Sequence, residues 1–545
     1  MAIQISSFGC ARIPHADLII SGGRIHTMNP KNPIAEAVAI QGDRIVYVGS
    51  GEGARKYEDE ITIVINLDGK TAYPGFVDAH AHLMSLGKSL AELNFVGTGS
   101  SEEIRKMVLE KQQAVPKGSW IRGRGWDQND WPVEEFPTWR DLSGTEENLV
   151  YLRRVDGHAA WVNKTVLDHY GITRETEDPP GGRIIRDENG DPTGVFIDDA
   201  KDLITAHIPE PTIDEKTAWA KAAILECNRY GMVGMHDAGI HKTDLQVYEN
   251  LHGSGQLSLR IYAMADGDSI DFVKERFALG PSAPVGGYVS LRAVKLYADG
   301  ALGSRGAAML EPYSDDPRNT GLILTAPDSL YEMSRLALDA GFQVCTHAIG
   351  DAGNRVILDA YERALKEHRS GDHRLRVEHA QVVSLEDIPR SAQLGIIPVM
   401  QPTHATSDMY WAEDRLGPER IKGAYAWRKF LDSGCKIPCG SDFPVEGVNP
   451  LWGIYAAVTR QDHDGWPEGG WYPGERMTIE EAVRGFTIDA AFAAFAEKET
   501  GSIEVGKLAD LTVLDKDLFE ISPKEILNAR VIYTIVGGSV VYSAP

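Results

Sequence analysis

Between residues 212 and 442 the apolar positions of this chain follow one recurring pattern: an apolar residue every three to four positions, a glycine, then a short apolar run. The first part predicts an amphipathic helix and the last a buried strand, with glycine supplying the left-handed residue that ends the helix. Residues 212–230 lead through Gly231 to Met232-Val233-Gly234-Met235-His236-Asp237, and residues 328–340 through Gly341 to Phe342-Gln343-Val344-Cys345-Thr346-His347. Residues 385–394 with Gly395 precede Ile396-Ile397-Pro398-Val399-Met400, and residues 426–433 with Gly434 precede a run ending at Asp442. Repeated helix–strand units predict a parallel sheet, and about eight of them in this length favour a closed (β/α)8 TIM-like barrel over a doubly wound sheet.

The two ends of the chain follow another rhythm. Residues 16–66 read as short β-rich runs separated by turns, with Ser21-Gly22-Gly23 as one turn, and the runs at 510–515, 531–536 and 540–542 have the same character. Neither end holds enough strands for a core alone, so both are expected to form one small antiparallel β-sandwich domain, residues 1–74 with 500–545, flanking a barrel at 75–499. Residues 94–210 break the repeat and are rich in Trp, Gly and Pro, which predicts an insertion over the barrel mouth. Most of its tryptophans are read as packing, with Trp126 lining an apolar substrate pocket.

Composition then narrows the possible partners. Over 545 residues the formal net charge is -24, so phosphate backbones and anionic membrane surfaces would be repelled. Five scattered cysteines, Cys10, Cys227, Cys345, Cys435 and Cys439, argue against a disulfide framework and for a reducing compartment. The chain lacks a run of eighteen apolar residues, and a cytoplasmic location is expected. The expected partners are a small-molecule substrate and further copies of this chain in a homodimer or higher homo-oligomer, with no nucleic acid and no membrane.

Residues with ligand chemistry fall at the ends of the expected strands. In Gly75-Phe76-Val77-Asp78-Ala79-His80-Ala81-His82 the two histidines are two apart at the end of an apolar run, so they leave the strand on one side and can grip one cation. Lys295, His347, His379 and Asp442 sit at the C-terminal ends of later strands, where barrel active sites lie. His347 and His379 are about one βα unit apart, and His379 and Asp442 about two.

In that order these residues resemble the metal-ligand series of the amidohydrolase superfamily, and the tail Gly501-Ser502-Ile503-Glu504-Val505-Gly506-Lys507-Leu508-Ala509-Asp510-Leu511 is similar to its second flanking signature. Asp156-Gly157-His158 and Asp299-Gly300-Ala301-Leu302-Gly303-Ser304-Arg305 look like amidohydrolase family 3, the branch of N-substituted formamide deformylases and exoenzyme regulatory proteins. The resemblance implies that His80, His82 and Asp442 bind one divalent metal ion, that His347 and His379 bind a second, and that Lys295 bridges them as a carbamate. Without the carbamate, a single metal is expected. Zinc suits the ligand types, with manganese, iron or nickel as alternatives. The implied reaction is hydrolysis of an amide or related C–N bond of a small, partly apolar substrate by a metal-activated water, with Asp442 as proton shuttle. His158, Arg305 and His404 are candidates for holding the substrate's carbonyl oxygen or another of its polar groups.

Two other readings are open at this level. The same metal site could serve ester or lactone hydrolysis, deamination or decarboxylation, or the barrel could be a non-catalytic regulatory scaffold. Metal analysis separates the scaffold from the enzymes. His80→Ala and His379→Ala are each expected to lower bound metal and abolish turnover, and unchanged metal content in either would remove that residue from the ligand set.

Overall fold

The structure is a computed structural model and describes residues 15–155, 157–282, 287–368 and 371–545. Cys10 and Asp156 lie outside the described residues. The chain divides into two compact units, residues 84–219 and the remainder.

In the larger unit seven parallel strands follow one another in chain order: β1 (Phe76–Ala81), β2 (Met232–Ile240), β3 (Arg260–Asp266), β4 (Val289–Tyr297), β5 (Gln343–Ala348), β6 (Arg376–His379) and β7 (Ile397–Val399). The eighth position is filled by residues 437–443, which are not a regular strand, since Pro438 has no N–H to give to a ladder. They still bond on both sides. Met400 N donates to Pro438 O at 3.1 Å and Gly440 N to Met400 O at 3.0 Å, while Ala79 N donates to Cys439 O at 2.9 Å and Asp442 N to His80 O at 2.8 Å. These bonds close the sheet into a (β/α)8 barrel.

The helices between strands have the expected amphipathic form. Helix Asp351–Glu367 buries Asn354, Ile357, Leu358, Tyr361 and Ala364, spaced three and four apart. Tyr361 Oη reaches through to Arg376 O at 2.9 Å and Thr346 Oγ1 at 2.7 Å, fixing the helix over β5 and β6. Helix Ile388–Leu394 ends at Gly395, whose φ of 68° turns the chain into β7.

The terminal segments share one eight-stranded sheet, in which Leu511–Leu514 pairs antiparallel with Thr71–Pro74. Its apolar layer is built from Leu18, Ile20, Ile25, Val38 and Ile40 together with Leu511, Val513 and Ile535. Two sequence expectations are corrected here. Ser21-Gly22-Gly23 is not a turn: Leu18–His26 is one strand with an irregularity between Ser21 and Ile25, where Gly22 takes φ 77°. The sheet is also mixed, because that strand pairs in parallel with both Ile63–Asn66 and Thr71–Pro74. Arg260 on β3 donates to both carboxylate oxygens of Asp510, at 2.7 and 2.9 Å, tying this sheet to the start of the barrel strands.

Residues 84–219 form a six-stranded sheet with buried clusters around Phe95, Trp126, Trp161 and Val195, and around Tyr151, Val162 and Phe196. Trp126 is corrected from a substrate-lining residue to a core residue. It is fully buried, donates Nε1–H to Leu152 O at 2.9 Å and packs edge-to-face on Trp161. The four described cysteines are free and buried, and among the described residues no helix is long and apolar enough to cross a membrane.

Closure of the barrel is tight at Gly440. A Cβ there would lie 2.6 Å from both Asp78 Oδ1 and His80 N. Gly440→Ala is expected to destabilise the fold by about 1–3 kcal/mol, read as a fall in the urea midpoint, and an unchanged midpoint would show that the closure is slack.

Candidate metal centre

His80 and His82 leave the end of β1 together, and the 437–443 segment brings Asp442 to them. Asp442 Oδ1 lies 3.1 Å from His82 Nε2 and 3.7 Å from His80 Nε2. From β6, His379 reaches the same carboxylate group, and His404, on the short helix after β7, places Nε2 3.8 Å from Asp442 Oδ2. The side chains thus make two sets, His80 with His82 and Asp442, and His379 with His404 and Asp442, each with ligand atoms mutually within 4.8 Å. His347, at the end of β5, stands edge-on to His379 with ring centroids 4.6 Å apart, its Nε2 3.4 Å from Gly300 O. Lys295, on β4, is 1% exposed, and its Nζ lies 4.3 Å from the Tyr297 ring centroid. Among the described residues, Lys295 Nζ makes no hydrogen bond or ion pair.

The donor chemistry fits a cation. His80 Nε2, His404 Nε2 and Asp442 Oδ1 are buried without a hydrogen-bond partner, and such atoms are costly unless something binds them. Four imidazoles around one carboxylate are a nitrogen and oxygen ligand set of the kind that takes zinc and its first-row neighbours.

Electrostatics favours the ligand-ready forms. Burial, reinforced by Lys295, pushes His80 down to about 4 and His347 down to about 3, and burial with the neighbouring His347 and His80 holds His379 well below its ordinary value. All three are neutral at pH 7. Burial would raise Asp442, but the surrounding histidines, His82 first, outweigh it and keep the carboxylate ionised. Burial lowers Lys295, opposed by Glu378 and Asp442.

Backbone strain collects at the same place. His379, Ala380 and Asp442 adopt φ of 73°, 42° and 60°, left-handed values that cost non-glycine residues about 1–3 kcal/mol each.

Several residues that support the centre were not singled out in the sequence. Asp78 Oδ2 accepts from Ser441 N at 3.0 Å and Ser441 Oγ at 2.7 Å, while its Oδ1 accepts from His80 N at 3.0 Å, stitching β1 to the closing segment. Burial pushes this carboxyl up to about 7. Asp299 Oδ2 accepts from Ala308 N and Gly350 N, and its Oδ1 from Ile349 N, so it ties its loop to the end of β5, and burial raises it to about 7 as well. Gln401 Oε1 lies 2.7 Å from His379 Nδ1. Glu378 contacts His80 Nδ1 and pairs with Arg376. Burial alone would raise Glu378, yet Arg376 and His80 hold it down at about 2. The available signal was position, since Asp78 lies two residues before His80 and Glu378 one before His379.

The other two substrate-binding candidates each have a carboxylate partner. Arg305 gives its guanidinium to Asp315 at 2.8 and 3.1 Å. His158 belongs to the 84–219 unit, where its exposed ring meets Asp198 at 2.8 Å.

The histidine shifts carry a pH dependence. A histidine whose folded value lies below 6.5 contributes stability that is complete above 6.5 and is lost as pH falls towards that folded value. Asp78 and Asp299, held near 7, work in the opposite direction. Metal-free protein is therefore expected to lose more stability between pH 6.5 and about 3–4 than the His80→Asn/His347→Asn variant. Equal losses in urea titrations of the two proteins would contradict the neutral assignment of these histidines.

Comparison with known proteins agrees with this geometry. A family model described as "Amidohydrolase family" matches residues 63–542. YtcJ of Bacillus subtilis (strain 168) is 34% identical over 96% of this chain and 98% of its own length. The N-substituted formamide deformylase of Arthrobacter pascens is 28% identical over 96% of this chain and 98% of its own. The crystal structure of an uncharacterized metal-dependent hydrolase from Pyrococcus furiosus superposes with a TM-score of 0.78 at 29% identity, covering 92% of this chain and all of that one. By fold, by the ordered histidines and aspartate at the strand ends, and by a match that runs through barrel and terminal sheet alike, this chain belongs to the amidohydrolase family.

Proposed function

We propose that the protein is a metal-dependent hydrolase that cleaves a non-peptide C–N bond of a small, partly apolar amide, with N-substituted formamides as the first substrate class to test. The observation that carries this reading is the pair of ligand sets sharing Asp442, in which His80 Nε2, His404 Nε2 and Asp442 Oδ1 are buried without a hydrogen-bond partner. The formamide class is suggested by the Arthrobacter relative, which aligns over nearly all of both chains.

His80, His82 and Asp442 would hold one divalent cation, for which zinc is the first choice. His379 with His347 would contribute to a second. Lys295 would bridge the two as a carbamate, a reading supported by its burial and by the absence of any described hydrogen-bond partner, since desolvation favours the neutral amine that reacts with carbon dioxide. Bound metal would supply Lewis acidity, polarising the substrate carbonyl and making water a better nucleophile at neutral pH.

The chain's own groups handle the protons. Asp442 is ionised and central, so it can accept a proton from water and return it to the leaving nitrogen. His404 Nε2, buried and unpartnered beside Asp442 Oδ2, would hold a polar group of the substrate or join His379 and Asp442 around the second cation.

Asp442→Asn keeps the shape and an oxygen ligand but cannot carry a proton. It is expected to retain most of its metal and to lose about a hundredfold to ten-thousandfold in turnover, and near-normal turnover would shift the proton role to His404 or His158. Zinc-loaded protein should release formate from N-substituted formamides and lose that activity on chelation. Metal-dependent turnover confined to esters or lactones would replace the C–N reading.

A further inference from the structure

His80 is held at one ring nitrogen and left open at the other. Its Nδ1 contacts Glu378 Oε2, and its Nε2 faces Asp442 Oδ1 at 3.7 Å. Glu378 and Arg376 are both fully buried on β6. Arg376 donates Nε–H to Glu378 Oε1 at 2.7 Å and Nη2–H to Oε2 at 2.9 Å, a bidentate clamp in which both partners remain charged. Its other contacts lock the guanidinium in place, with Nη1 3.0 Å from His236 Nδ1 and Nη2 2.7 Å from Ala79 O on β1. A guanidinium does not lose its proton in a protein, and an ionised carboxylate can only accept. The shared hydrogen must therefore sit on His80 Nδ1, which leaves the lone pair on Nε2. Nε2 and Asp442 Oδ1, 3.7 Å apart, are then both acceptors with no hydrogen to share between them, and a cation would satisfy both.

We propose that Glu378, oriented by Arg376, is the positioning residue that fixes His80 in its Nδ1–H tautomer and so presents the Nε2 lone pair to the metal. This assignment rests on the metal-binding reading of the cluster. The carboxylate also makes the imidazole a stronger donor to the cation, as a charged acceptor behind a ligating histidine does generally. Glutamine at 378 would weaken both effects, because its amide offers a donor as well as an acceptor to Nδ1 and so accepts either tautomer.

Two measurements test the assignment. In metal-free wild-type protein labelled with 15N-histidine, the His80 resonances, identified by their loss in His80→Gln, should show a protonated Nδ1 and an unprotonated Nε2. Protonation at Nε2 overturns the proposal, and this readout needs no change at Glu378. Zinc dissociation constants, measured by chelator competition, are then compared for wild type, Glu378→Gln and the charge-neutral pair Arg376→Gln/Glu378→Gln, which leaves no buried arginine uncompensated. Affinity should fall about 10–100-fold in each variant that folds, with His80 in mixed tautomers. A folded variant with wild-type affinity and an unmixed Nδ1–H tautomer overturns the proposal, and if neither variant folds the wild-type tautomer decides alone. Wild-type protein that takes up no zinc would instead remove the metal reading, while the tautomer result would still decide whether Glu378 positions His80.

Discussion

The contact on which the rest depends is the seam between β1 and residues 437–443. Asp442 N to His80 O, Ala79 N to Cys439 O and the Asp78–Ser441 bonds join the first and last positions of the barrel. Without them Asp442 would end an open sheet, far from the histidines of β1. With them, residues more than 350 positions apart meet around one carboxylate. Gly440 is the residue that makes the seam possible, because the backbone of β1 and the Asp78 carboxylate occupy the space a side chain would need.

Around that seam the interior holds several ionisable side chains. Arg376, Glu378, Asp78, Lys295 and Asp442 are all buried, and buried charges survive only when paired or bound. Arg376 and Glu378 satisfy one another, Asp78 takes three hydrogen bonds, and Asp442 is surrounded by imidazoles. Lys295 has no such partner among the described residues. Together with the left-handed backbone at His379, Ala380 and Asp442, this arrangement trades fold stability for a set of ligand atoms held in advance of what they bind.

The two units divide the work differently. The barrel and terminal sheet carry every residue of the cluster, and the Arg260–Asp510 pair and the continuous β1 segment link them covalently and electrostatically. The 84–219 unit has its own sheet and its own aromatic core, so its tryptophans are spent on packing. Family membership describes the scaffold. Substrate choice belongs to loops whose chemistry varies on the same scaffold.

The sequence by itself determined the barrel repeat, the glycine-ended helices and the positions of His80, His82, Lys295, His347, His379 and Asp442, because strand ends are marked locally by apolar runs and punctuation. It also showed that both termini are β-rich, though the bulged strand at Leu18–His26 looked like two strands and a turn, since glycine marks either one. Only the tertiary structure decided that His404 joins the Asp442 carboxylate, that Trp126 is sealed in a core, and that Glu378 stands behind His80. These facts depend on which way a side chain points across a closed barrel and on which distant strand lies beside it. Neither is written in the spacing of residues along one strand, because β6 and β1 become partners across the interior only once residues 437–443 close the ring.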